Sequence, residues 1–147
     1  MFENFVSIDF PTLEGVAALP KRPHGFLYAI FWVSAAGAET PFYVGQTKRL
    51  AERMADYCCA EFQASADFRV GKAICYLRDA KKFRIVLKYN ASNNPARDEH
   101  DLIKKLQLSG VRLLNDFVGY DYRTAEEEDE KRDIFQICEL LINSASQ

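Results

Sequence analysis

The chain has 147 residues, a formal net charge of −2 at pH 7, 48% hydrophobic content and 13% aromatic content. That apolar fraction offsets chain entropy and excludes a disordered chain. The length suits a single domain, 1–147, that buries roughly two-thirds or more of its unfolded surface. A charge near zero excludes a uniformly basic nucleic-acid binder, and no apolar run approaches the roughly 18–20 residues that span a bilayer, so no membrane association and a cytoplasmic location are expected.

The first twenty residues contain Phe2, Phe5, Val6, Ile8 and Phe10 before Pro11 and read as an ordered arm. Gly25 to Val33 is a continuous apolar and aromatic run of strand length, and Pro41 to Gly45 is a second short one. The small, polar residues 34–39 between them suit the loop of an antiparallel hairpin, which puts Tyr28 and Tyr43 on neighbouring strands. Thr47 has the chemistry of a helix N-cap, and Leu50, Met54 and Tyr57 follow at helical spacing. Arg53 and Tyr57, four apart, then share a face.

Val70, Ile74 and Leu77 predict a second helix from about Asp67 to Lys81. The alternation of Phe83, Ile85, Leu87 and Tyr89 with Arg84, Val86 and Lys88 predicts a third strand. Asn90 to Asn94 is turn chemistry, Pro95 suits the first turn of a helix running to about Leu108, and Gly110 ends it. Thr124 and Glu127 have capping-box spacing ahead of an apolar stripe of Ile134, Ile137, Cys138, Leu141 and Ile142. That stripe needs a cover: the N-terminal arm, the back of the sheet, a homodimer or a protein partner. The fold class expected is α/β, a small three-stranded, mainly antiparallel sheet flanked by helices, with an N-terminal arm and a C-terminal amphipathic helix.

The charge is unevenly spread. Residues 1–20 carry Glu3, Asp9 and Glu14 without Lys or Arg, and residues 116–147 carry nine acids against Arg123, Lys131 and Arg132, which leaves +7 on residues 21–115. The central segment can thus offer phosphates a positive footprint. Cys58, Cys59, Cys75 and Cys138 show no C-x-x-C spacing, and His24 and His100 lie apart from them, so a zinc site is not expected and the thiols read as idle.

Within the basic segment, Tyr43-Val44-Gly45 is followed by Arg53, Tyr57 and, much later, Glu99. A hydroxyl that can act as a base, a guanidinium whose fork matches phosphate oxygens and an acid that can hold a hard cation together suit phosphodiester cleavage. Each residue also has a plainer reading. Tyr28 and Tyr43 can be strand aromatics, Arg53 a solvated helix residue, Glu99 an acid complementing a helix dipole, and Asn115 a turn residue.

The ordered set resembles the GIY-YIG nuclease superfamily over about residues 24–116. Phe26-Leu27-Tyr28 stands where that family has its first tripeptide and Tyr43-Val44-Gly45 where it has the second. Arg53, Tyr57, Glu99 and Asn115 match its helical arginine, the tyrosine or histidine one turn later, its metal-binding glutamate and its late asparagine. Phe26 departs from the family's first glycine, and Gln46 stands where some members have lysine; Lys48 is the nearby alternative.

The resemblance implies a metal-dependent endonuclease using Mg²⁺ or Mn²⁺ on Glu99, with Tyr28, Tyr43, Arg53 and Tyr57 completing the catalytic set. It implies nucleic-acid contacts at Gly45, Lys48, Arg49 and Asn115, with DNA preferred over RNA. Residues 117–147 would form an acidic helical extension. Two rivals stand beside it: a nucleic-acid-binding module of the same fold that does not cut, and a protein-interaction module working through the C-terminal helix. The acid at Glu99 favours the enzyme, because a pure binder has no use for a charge that repels phosphate.

Overall fold

A computed structural model describes residues 1–22, 25–64, 66–118 and 124–145; His24 lies outside them. Four strands, β1 (Val6–Asp9), β2 (Phe26–Val33), β3 (Glu39–Thr47) and β4 (Arg84–Ala91), form one antiparallel sheet in the order β1-β4-β2-β3. Helices α1 (Leu50–Cys59), α2 (Ala66–Cys75), α3 (Pro95–Leu108) and α4 (Glu127–Ala145) cover it.

The sheet is four-stranded, not three-stranded. Part of the N-terminal arm adds β1 to the outer edge of β4, pairing Val6 with Tyr89 and Ile8 with Leu87. Its four residues are mostly exposed, so no buried alternation announces them; what recruits them is the otherwise unpaired ladder of β4.

β2 is buried at all eight positions because it is central and both of its faces are covered. Tyr28, Ile30 and Trp32 face α1, α2 and α4 in the larger core, while Leu27, Ala29, Phe31 and Val33 face α3 and the aromatic arm residues Phe2 and Phe5. Between Ile30 and Phe31 the register with β3 slips, since Ile30 opposes Tyr43 and Phe31 opposes Pro41. Phe42 is the extra residue of this bulge, and the slip lets Phe42 and Tyr43, adjacent in sequence, both join the same core.

Three local expectations shift. Thr47 ends β3 instead of capping a helix: α1 starts at Leu50, and the Thr47 hydroxyl accepts the Arg49 N–H at 3.0 Å. The α-helix read as 67–81 stops at Cys75 and widens into a π-type turn over Tyr76–Ala80. Thr124 does not pair with Glu127; its N–H and hydroxyl instead donate to the Glu130 carboxylate at 2.7 and 2.8 Å. The α3 boundaries match the sequence signals, with Asn94 accepting from the Arg97 N–H and Gly110 at φ +86° after the helix.

The stripe of α4 is covered within the chain. Ile134, Ile137, Cys138 and Leu141 are buried in the core that contains Tyr28 and Trp32, packed mainly on α2. The arm residues Ile8 and Phe10 pack against the same core, and a partner docking on α4 would meet its outer face. An ion cluster locks this docking: buried Arg69 on α2 pairs with buried Glu130 and, at 2.9 Å, with Asp133. Among the described residues, no helix is long and apolar enough to cross a membrane.

Candidate active site

The β2–β3 hairpin brings Tyr28 opposite Gly45 and Tyr43 one pair further along the same face. From α1, Tyr57 reaches between them: its hydroxyl lies 2.5 Å from that of Tyr28, and its ring centroid is 6.4 Å from Tyr28 and 6.2 Å from Tyr43. Three phenols thus share one cluster. Tyr43, at 8% exposure, is the most accessible of them, against 1% for Tyr28 and 3% for Tyr57.

Gly45 has a steric task. A Cβ built there would overlap the hydroxyl and ring of Tyr28, so only glycine lets the ring cross the β3 backbone. What demands glycine here is the backbone's proximity to a buried side chain. Gly45→Ala is expected to destabilise the fold by about 1–3 kcal/mol through overpacking and to displace the Tyr28 hydroxyl. Urea denaturation measures the first effect, and a variant as stable as the wild type would refute the steric account.

Asn115 also has a positioning task. Its side-chain amide closes two bonds with one β3 residue, accepting the Val44 N–H at 2.9 Å and donating to the Val44 carbonyl at 2.7 Å. The amide behaves as a short extra strand on the free edge of β3, and it steadies the segment between Tyr43 and Gly45. Lys48 and Arg49 lie on the exposed turn between β3 and α1, where Arg49 pairs with Glu52 at 3.0 Å.

Arg53 lies over the Tyr57 ring at 4.9 Å from its centroid, a cation–π contact. It also makes an ion pair that no sequence signal marks, 2.8 Å to Asp67 at the start of α2, with Asp56 at 3.8 Å. An acid in the first turn of a helix is ordinary. Only the crossing of α1 and α2, tight enough that a Cβ on Gly71 would meet the Tyr57 carbonyl at 2.5 Å, brings Asp67 to Arg53.

Burial raises the pKa of all three phenols. At Tyr28 the burial effect is joined by the charge of Tyr43 and opposed by the Tyr57 hydrogen bond and Arg53. At Tyr43 it is opposed by the Tyr57 hydrogen bond and the Arg53 charge and helped by the charges of Glu99 and Asp67. At Tyr57 it is reinforced by the charges of the other two tyrosines. Burial works against the Arg53 charge, but Tyr57, Tyr28 and Asp67 outweigh it and hold the guanidinium firmly protonated.

Glu99 comes from the first turns of α3. Burial raises its carboxyl pKa, and a hydrogen bond from the Gln46 backbone N–H partly opposes the rise. Gln46 thus meets Glu99 through its main chain. Glu99 and Asp67 act on Tyr43 together, which joins Tyr28, Tyr43, Tyr57, Arg53, Asp67 and Glu99 into one electrostatic unit.

A metal in this unit would have Glu99 as its protein ligand. Among the described residues no three His, Cys, Asp or Glu side chains converge into a cage. A single half-buried carboxylate fits Mg²⁺, which keeps several waters and shares its remaining positions with substrate phosphate. It does not fit a closed structural site, which takes four protein ligands. Comparison with protein-family models, curated proteins and solved structures finds no match to this chain.

Proposed function

We propose that the chain is a metal-dependent endonuclease of the GIY-YIG type that hydrolyses phosphodiester bonds, in DNA before RNA. The observation that carries the reading is the convergence of three buried phenols on one half-buried arginine, with Glu99 close enough for its charge to act on Tyr43. A core needs hydrophobic rings there; it does not need three hydroxyls, a guanidinium and two acids.

Tyr43, the least buried phenol, accepts the proton of the attacking water in its phenolate form, after giving its own proton to solvent. Its neutral form dominates at pH 7, because burial lifts a pKa that already starts near 10. The positive field of Arg53 and the hydrogen bond from Tyr57 act in the required direction, lowering the cost of the phenolate. Arg53 holds the non-bridging oxygens, and the incoming phosphate replaces Asp67 as its partner. When bound to Glu99, a divalent cation supplies neutralisation of charge at the leaving 3′ oxygen.

The test is nicking of supercoiled plasmid by the pure protein in Mg²⁺, with and without chelator. Chelator-sensitive nicking is expected. One observation favours a second reading: with Arg53 already paired to Asp67 and the phenols held neutral, the cluster suits a module that binds phosphate without cutting it. Plasmid binding without nicking would select that reading.

Asp67→Asn separates the two as well. It frees Arg53 and removes a negative charge that raises the Tyr43 pKa, so that pKa falls. The expected result is a KM lower by about two- to fivefold, from the loss of a partly exposed competing ion pair. The alkaline rise in kcat should also shift to lower pH. An unchanged pH profile would remove Asp67 from the unit.

A further inference from the structure

Between the 3-10 turn Glu14–Ala18 and α1 runs a groove of about 410 Å³ that none of the proposed chemistry uses. Its apolar lining includes Val16, Pro20, Leu50 and Ala55, and its cationic members are Lys21, Lys48 and Arg49. Glu52 is the one acid in it, and Arg49 neutralises that acid at 3.0 Å. Lys21 and Lys48 make no ion pair among the described residues.

The groove opens towards the candidate active site. The adjoining cleft shares Lys48, Arg49 and Glu52 with it and extends to Arg53 and to Asp56, at the border with the cleft beyond. Beyond Arg53 the next cleft holds Asp56, Glu61 and Asp67 and no base. A phosphate chain leaving Arg53 is therefore repelled on one side and attracted on the other.

We infer that this groove binds an unpaired nucleotide of the strand being cut, with its base on the apolar floor and its flanking phosphates on Lys21 and Lys48. The inference rests on the nuclease reading for the position of the scissile phosphate. A duplex turns phosphates outward and keeps its bases stacked, so an apolar floor gains nothing from it. An unpaired nucleotide presents both an apolar face and a charged backbone.

The probe is a short fluorescein-labelled oligo(dT), bound to the 147-residue chain carrying Glu99→Gln so that nothing is cut. Lys21→Ala, at an exposed site where folding is not at stake, should reduce the slope of log affinity against log salt by about 0.7, one phosphate contact to a single strand. Ala55→Phe, which fills the floor, should weaken binding roughly tenfold, the loss of one base contact. The same two variants should leave binding of a matched duplex unchanged. Oligo(dT) affinity and salt slope unchanged in Lys21→Ala overturn the groove, as does a wild-type chain that does not bind oligo(dT) at all. Failure of the nuclease reading shows separately, as absence of plasmid nicking while the single-strand effects persist.

Discussion

Glu99→Gln is expected to lower plasmid nicking by about 10²–10³-fold while leaving DNA binding in place. The substitution keeps the shape of the side chain and removes the charge that a hard cation requires. The fold should not suffer. Burial raises the Glu99 pKa, so in the folded state the charged form is disfavoured and weakens the fold near neutral pH; the neutral amide relieves that penalty. The variant should therefore unfold at a urea concentration at least as high as the wild type. The raised pKa also sets the acid limb: nicking should increase with pH as Glu99 loses its proton, at a pH above that of an unperturbed glutamate. Undiminished nicking by the variant in Mg²⁺ would exclude Glu99 as the metal ligand and leave the phenol–arginine cluster without its electrophile.

The largest stability effect should come from a place remote from the chemistry. Arg69 and Glu130 are both nearly inaccessible, at 2% and 1% exposure, and removing one leaves the other charged in the interior. Breaking such a pair costs about 3–5 kcal/mol. Glu130→Ala belongs at the lower end, because Asp133 still faces Arg69. Arg69→Ala belongs at the upper end, since among the described residues it leaves Glu130 with Thr124 alone as hydrogen-bond donor.

The pH dependence has a definite sign. Burial alone would raise the Glu130 pKa, but the Thr124 N–H and hydroxyl and the Arg69 guanidinium outweigh it and depress the folded value. Its contribution is complete above the unfolded pKa of about 4.3 and is lost as pH falls through the folded one. Urea midpoints of the wild type should fall on acidification below about pH 5. The difference between wild type and Glu130→Ala should shrink over the same interval. A difference constant with pH would mean that the side chain contributes packing only.

Much of the architecture was legible because it depends on local pattern. The unbroken apolar and aromatic run from Gly25 to Val33 reads as a strand from its composition, and it forms β2, in the interior of the sheet. Pro95, with Asn94 before it and Gly110 after, bounded α3 by backbone chemistry that needs no neighbour. Sequence order also singled out Tyr28, Tyr43, Arg53, Tyr57 and Glu99, and the fold brings them into one electrostatic unit.

What the sequence determined by itself was three of the four strands, the four α-helices and the residues offered to the site, since periodicity, caps and turn chemistry act within a few residues. The tertiary structure alone decided how those residues are used. β1 forms because β4 presents an open ladder; Phe42 and Tyr43 share a face because of a bulge. Gly45 is reserved for the Tyr28 ring, and the Asn115 amide is committed to Val44. The pairing of Arg53 with Asp67, and of Arg69 with Glu130, joins residues from separate helices. Each of these depends on atoms distant in sequence meeting within a few ångströms, where desolvation and Coulomb energy are large, and no local pattern records such a meeting.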